Sequence, residues 1–343
     1  MKAFITAEFD EYGLKLLTKH MEYVYESWRT TKKIFFDENE FIKKIKSVGA
    51  DVLIVEPDFV LKNVIEQCNP KIIASCRDDP WNVDIKTATE KGIPVFSAPH
   101  RNTQSVAELT LGLILSVARN ITKADRYLRA GKIIYKSETD FLEYHNMFEG
   151  IELGGKKVGI IGLGAIGFEV AKRLRNGFGS EILVYDPYVD KNRLKEVNGK
   201  SVDLETLMRE SDIVTVHTKV TNETKGLITR KHFEMMKKTA YFINTARAAI
   251  TEEDALFETL RDKKIAGAGL DVFIKDPIES GDRFLTLDNI VATPHIGGNT
   301  TDTVTRQSKM IAEGIDSYLT GKEPKYVLNK EVLKKPKPKK GAK

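Results

Sequence analysis

The 343-residue chain has only two cysteines, Cys68 and Cys76, and neither stands in a CxxC or other metal-ligand spacing. A disulfide framework and a thiolate metal site are therefore excluded, and both thiols read as reduced and structural. With 11 prolines and 24 glycines the chain is neither collagen-like nor of low complexity. Long apolar runs are also missing. The most apolar stretch, residues 109–118, falls well short of the ~18 residues that a membrane span needs. At the start, MKAFITAEFD places Glu8 and Asp10 where a secretion signal would require an apolar centre. These absences predict a soluble, cytoplasmic protein with no membrane partner and no metal. Nor is there a sustained excess of one charge. The net +5 comes from the last ten residues, KKPKPKKGAK, which hold six lysines and no acid, so the rest of the chain carries one more acid than base. Residues 331–343 read as a solvated, disordered basic tail, and no nucleic-acid partner is expected for the body.

What is present is ordinary globular material, 41% hydrophobic and 30% charged. At roughly 150 residues per domain the length predicts about two domains. Short β-rich apolar runs at 3–6, 51–56, 71–76 and 93–98 alternate with amphipathic segments such as 37–48. Continuous rather than alternating apolar runs indicate strands covered on both faces, as in a parallel sheet flanked by helices. A second series begins near residue 157: KVGIIG, EILVYD, DIVTVH, AYFIN, GAGLDVF and NIVAT are strand candidates, with helical stretches such as 165–176 and 203–210 between them. Between the two series, residues 102–121 form a helix apolar nearly all round, with Ser105 and Glu108 at capping-box spacing. It must be buried on most sides, between the domains or at a subunit interface. Residues 122–155 show no clean period and carry Tyr135, Phe141, Tyr144 and Phe148; this irregular arm packs either on a partner subunit or on its own chain. A last helix at 300–320 can return to the first domain.

Residues 157–167 read KVGIIGLGAIG, so Gly162, Gly164 and Gly167 form GxGxxG between an apolar strand and a helix. The first glycine permits the tight turn, the second lets backbone approach a pyrophosphate, and the third allows close helix–strand packing. Asp186 ends the next strand, 19 residues beyond Gly167. Its carboxylate can accept hydrogen bonds from ribose hydroxyls and would repel a 2′-phosphate, and Pro187 and Tyr188 follow it with no adjacent arginine, which points to NAD rather than NADP.

Several segments in order across residues 50–325 resemble the D-isomer-specific 2-hydroxyacid dehydrogenase family: SVAELTLGLIL, KKVGIIGLGAIG, VYDPY, VTVHTKVTNETKGLI, FINTARAAITEEDAL, GAGLDVFIKDP and ATPHIGG. The resemblance implies an α/β chain with two doubly wound parallel-sheet domains. A Rossmann NAD domain, 103–297, would be inserted into a flavodoxin-like substrate domain made of 1–102 and 298–330, and the enzyme would be a homodimer. Carried over by position, Arg247 would hold the substrate carboxylate and polarise its carbonyl, a task suited to a planar, permanently charged fork. His295 would be the general acid/base. The third catalytic position, normally Glu, falls on Asp276, shorter by about 1.5 Å of reach. Either the backbone moves closer, or the pair with His295 is weaker, or Asp276 is a solvated loop acid.

The same resemblance assigns Ala165 and Ile166 to the pyrophosphate, Asp186 to the ribose, and His217, Thr218 and Thr224 to the adenosine half. Thr245, Ala246, Asp271 and Gly298 complete the cofactor set, with Asp271 at the carboxamide. Lys219 stands where relatives commonly have Pro, and Ala248 where they commonly have Gly. The substrate loop, CRDDPWNVD at 76–84, replaces a glycine-containing one. Arg77, Asp78 and Asp79 would meet the substrate there. The two acids either face out, with backbone donors inward, or face in and disfavour a phosphorylated or dicarboxylic substrate. Arg77 and Arg101 are near enough in sequence to neutralise them. The implied activity is NADH-dependent reduction of a small 2-oxo acid, of glyoxylate or hydroxypyruvate type, to a D-2-hydroxy acid. The alternatives are a phosphoglycerate dehydrogenase without a regulatory domain, an NAD-sensing corepressor-like protein and a formate dehydrogenase.

Overall fold

A computed structural model describes residues 1–133, 135–276 and 278–333. The chain divides into two compact units, one built from Met1–Arg101 and the chain from Thr300 onward, the other from Asn102–Asn299. The basic tail expected at 331–343 lies outside the described residues from 334 on. Before that point Lys330–Leu333 forms a 3-10 turn, so residues 331–333, expected to be disordered, have a defined structure.

The first unit holds five strands: β1 (Lys2–Ile5), β2 (Glu22–Tyr25), β3 (Val52–Val55), β4 (Ile72–Ser75) and β5 (Val95–Phe96). They lie in the order β2-β1-β3-β4-β5, every pairing parallel, which is the flavodoxin-like arrangement. Side chains alternate between the two faces. Ala3, Ile5, Val52 and Ile54 pack with Ile311, Ala312 and Ile315 of the helix Thr301–Leu319. Phe4, Leu53 and Val55 pack with Phe41, Ile42 and Ile45 of the helix Glu38–Val48. That helix is capped by Asp37, whose carboxylate accepts from Glu40 N, and is closed by Gly49 at φ +67°. β2 was not expected from the sequence. It is a partly exposed edge strand, EYVY, and lacks the continuous apolar run by which the inner strands are recognised.

The second unit holds seven strands: β6 (Lys157–Ile161), β7 (Glu181–Tyr185), β8 (Lys200–Ser201), β9 (Ile213–Val216), β10 (Tyr241–Asn244), β11 (Gly267–Leu270) and β12 (Ile290–Ala292). Their order is β12-β11-β10-β9-β6-β7-β8, again all parallel. This is the Rossmann order with one added strand, and it reverses direction between β6 and β9. The apolar helix Thr103–Ala118 belongs to this unit. It comes close to the sheet because β11 presents glycines: a Cβ on Gly269 would lie 3.0 Å from Leu113 Cβ, and one on Gly267 3.1 Å from Val117. The expected capping box is absent. Asn102 is the N-cap, and Ser105 sits inside the first turn with its hydroxyl donated to Gly297 O at 2.9 Å.

Two other expectations need correction. Residues 122–155 are not irregular throughout: Ile121–Arg129 and Glu138–Met147 are helical, the latter opened by a true capping box between Ser137 and Asp140. The helix expected over 165–176 ends at Arg173 and continues as a π turn, Leu174–Phe178, stopped by Gly179 at φ +71°.

Candidate active site on the second unit

Because all seven strands run parallel, the loops that follow them leave from one edge of the sheet. The candidate residues of this unit, apart from Ala165, Ile166 and Gly167 in the first turn of the helix Ala165–Arg173, sit in those loops. The strand order reverses between β6 and β9, the kind of place where open α/β sheets take ligands.

After β6 the chain turns at Gly162, φ +92°, where a Cβ would lie 3.0 Å from Thr218 N. Gly167 is tighter still: its Cβ would fall 2.0 Å from Gly162 O. Both glycines are therefore dictated by close packing. Gly164 caps the helix Ala165–Arg173 without any side-chain cap, and nothing lies within 4 Å of where its Cβ would be. The amides of Ala165 and Ile166, in the first turn, have no partner within the helix. Asp186, at the end of β7, accepts from Leu163 N and Tyr188 N, each at 2.9 Å and each on a different oxygen. Each oxygen keeps a lone pair for a ribose hydroxyl.

His217 and Thr218 follow β9. The imidazole Nε2 of His217 is hydrogen-bonded to Thr215 Oγ1 at 2.9 Å, and burial pushes the ring down to about 3, so it is neutral at ordinary pH. Thr224 is engaged in its own loop: its hydroxyl accepts from Thr221 N at 2.8 Å and donates to Lys219 O. An open helix N-terminus, a turn kept free of side chains and a carboxylate just past the next strand together fit a dinucleotide.

The loops after β10, β11 and β12, three adjacent strands, carry the other residues. Buried Asn244 builds the first of them, its amide accepting from Ala246 N at 3.0 Å and donating to Arg247 O at 3.1 Å. Thr245 shares a hydroxyl–hydroxyl bond of 2.9 Å with Thr110. Arg247 is thereby exposed at the edge, with its guanidinium donating to Ala246 O at 2.7 Å.

Asp271 is 1% exposed. Its carboxylate accepts from Thr293 Oγ1 at 2.6 Å, and from Ile296 N and Gly297 N at 2.9 Å each. Its carbonyl accepts from His295 N at 2.9 Å. Asp271 thus holds the 293–297 loop, and in that loop His295 adopts φ +54°, a left-handed conformation that a side chain seldom takes without surrounding constraint. His295 Nδ1 donates to Asp276 Oδ2 in a direct pair, both side chains about one-third exposed at 39% and 33%. The shorter aspartate is accommodated by a loop that brings it into contact. Gly298 is half-buried, and a Cβ there would lie 3.2 Å from Asn102 Nδ2.

His295 and Asp276 are therefore brought together, and Arg247 reaches the same sheet edge. Arg77, Asp78 and Asp79 belong to the other unit. There, Arg77 lies over the ring of Trp81 at 4.9 Å, Asp78 accepts from His100 N at 3.2 Å, and Asp79 is exposed. Arg101 does not neutralise these acids. Its guanidinium pairs with Glu56 at 2.8 Å and also bonds Gln307. Sequence reasoning missed Asn244 and the loop-holding role of Asp271. Neither has a motif of its own, because each acts by bonding to backbone that only the fold brings near. Among the described residues no cluster of His, Cys, Asp and Glu could hold a metal, and no helix is long and apolar enough to cross a membrane.

Comparison with known proteins agrees with this architecture. Residues 111–297 match the model of the D-isomer specific 2-hydroxyacid dehydrogenase, NAD binding domain. The chain is 37% identical to the glyoxylate reductase of Thermococcus litoralis over 97% of this chain and 98% of that one. It is 38% identical to the D-3-phosphoglycerate dehydrogenase of Archaeoglobus fulgidus over 87% of this chain and 54% of that longer one. Among solved structures, the TT0316 protein of Thermus thermophilus superposes with a TM-score of 0.83 at 30% identity, covering 96% of this chain and 100% of that one. An acyclic imino acid reductase solved with NADPH and D-Arg gives 0.78 at 25%, with 96% and 100% covered.

Proposed function

The chain belongs to the D-isomer specific 2-hydroxyacid dehydrogenase family and is an NAD(P)-dependent 2-hydroxyacid dehydrogenase; from that premise we propose that it uses NADH to reduce glyoxylate, hydroxypyruvate or a similarly small 2-oxo acid to the D-2-hydroxy acid. The observation that carries this reading is the His295–Asp276 pair on the edge that also bears the GxGxxG turn.

Gly162, Gly164, Ala165 and Ile166 would hold the pyrophosphate, and Asp186 the adenosine ribose. When bound, the reduced nicotinamide supplies a hydride to C2 of the substrate. Arg247 grips the carboxylate with its planar fork and draws electron density toward the carbonyl oxygen. His295 delivers the proton to that oxygen from Nε2, since Nδ1 is occupied by Asp276. Asp276 keeps the ring in the required tautomer and stabilises the imidazolium by opposite charge. In the reverse direction His295 takes the same proton back. The preference for NADH over NADPH rests on Asp186, which accepts from Tyr188 N and whose charge would repel a 2′-phosphate. The exposed apolar side chains of Tyr135, Phe141, Leu142 and Met147 support a homodimer built through this arm.

Oxidation of NADH and of NADPH against a panel of 2-oxo acids tests the reading. His295→Ala should lower kcat by about 10³-fold while leaving the dissociation constant of NADH unchanged. Equal loss of turnover and NADH binding, or no oxidation with any 2-oxo acid, would overturn it. Similarity to the A. fulgidus enzyme favours a second reading, oxidation of 3-phosphoglycerate. The acids Asp78 and Asp79 weigh against a phosphorylated substrate.

A further inference from the structure

The loop proposed to meet the substrate, residues 76–81, leaves β4 at Ser75 and ends at Asn82, with no helix or strand of its own. Its shape must therefore come from side chains beneath it. Asn82 lies there with none of its surface exposed, and both ends of its amide are in use. Ser75 Oγ donates to Asn82 Oδ1 at 3.1 Å, closing the base of the loop. Asn82 Nδ2 donates to Glu56 O at 3.1 Å and to Asp58 O at 2.7 Å, tying the loop after β4 to the loop after β3. The backbone repeats the tie: Val60 N donates to Asn82 O at 2.8 Å, and Asp84 N to Val60 O at 3.0 Å.

Asp58, also fully buried, extends the network. Its carboxylate accepts from Thr6 Oγ1 at 2.6 Å, just past β1, and from Phe35 N at 2.9 Å, ahead of the helix Glu38–Val48. β1 and β3 flank the strand-order reversal of this sheet, where open α/β sheets take ligands.

We propose that Asn82, assisted by Ser75 and Asp58, is the positioning residue of the substrate loop, setting the affinity for the 2-oxo acid without touching it. The proposal rests on the reading above that this loop meets the substrate. Only an amide suits the place. Two donors are needed on one side and an acceptor on the other; a carboxylate would face two carbonyls with no proton to offer, and an apolar side chain would orphan buried polar groups. With the hub intact, Arg77 against Trp81 and the backbone around Asp79 are ordered before substrate arrives. Without it, binding must supply the ordering, which weakens affinity. The chemical step is untouched, because Arg247, His295 and Asp276 are held by loops of the other sheet.

Steady-state kinetics with glyoxylate and hydroxypyruvate on the full chain test this. Asn82→Ala should raise KM about tenfold and Ser75→Ala, which deletes one hydroxyl, about threefold. In both, kcat and the NADH dissociation constant should stay within about twofold. Should Asn82→Ala fail to fold, Ser75→Ala decides. Unchanged KM in a folded variant, or a loss confined to kcat, would overturn the proposal. Arg77→Ala and Asp79→Pro, the second of which removes the backbone N–H of residue 79, separate the two levels of inference. If these also leave KM unchanged, the loop does not meet the substrate and the site reading fails; if they shift KM and the hub variants do not, only the positioning role fails.

Discussion

The two sheets begin alike, and their first crossover helices differ in how they are capped. Each opens with an inner parallel strand, β1 or β6, that crosses over through a helix to an outer neighbour. In the first unit that helix, Glu11–Leu17, is capped by Asp10, whose own carboxylate accepts from Gly13 N at 2.8 Å. The positive end of the helix is thus already satisfied by a resident anion, which would also repel another. In the second unit the corresponding cap is Gly164, with no side chain and open space above it. One architecture therefore yields a self-sealed helix end in one place and an anion-ready one in the other. The cap residue decides, not the topology.

That comparison can be broken most directly by exchanging the caps. Gly164→Asp should weaken NADH binding about 100-fold, measured by fluorescence titration, because a carboxylate would sit where we propose the pyrophosphate binds. Its melting temperature should not fall, since Cβ has room and Asp is a good N-cap. Retained NADH affinity in a folded Gly164→Asp protein would show that the helix end is not the pyrophosphate site. A smaller effect is expected from Asp186→Ser, which removes the charge proposed to face the ribose while leaving a hydroxyl. The ratio of kcat/KM for NADH over NADPH should drop about tenfold, and an unchanged ratio would remove Asp186 as the discriminating residue.

The smallest expected effect concerns acid stability. The folded His217 ring titrates near 3 and an exposed one near 6.5, so over that interval the unfolded chain binds the extra proton. The stability that His217 supplies is complete above about 6.5 and drains as the pH falls toward 3. His217→Asn should flatten the decline of melting temperature between pH 6 and 4 by about 2–4 °C. An equal decline in both proteins would argue against a buried neutral ring.

Strands and helices with two covered faces or a clear helical period were legible in the sequence, as was the strand–turn–helix setting of GxGxxG; Arg247 and His295 were singled out by resemblance, and the fold places both in loops that follow strands. The edge strand β2 was not legible, since half-exposed EYVY lacks the apolar run that marks the inner strands. The helix at Glu138–Met147 escaped because no residue of it is buried and its apolar side chains gather on no single face, whereas Ile121–Arg129, with Ile121, Ala124 and Leu128 at helical spacing, carried a period that could have been read. Asn244 and Asn82 escaped for another reason. An asparagine that bonds to backbone from distant segments leaves no spacing to read.

Order along the chain thus determined which units form, that both sheets are parallel, and which residue types stand at the ends of their strands, since these depend on local period and on the turn chemistry of single residues. Tertiary structure alone decided that a shortened acid reaches His295, that Arg101 is spent on Glu56, that Asp271 holds the histidine loop, and that a buried amide closes the base of the loop at 76–81. Those outcomes hinge on distances between segments far apart in sequence, and a hydrogen bond exists only where such a distance falls within about 3 Å.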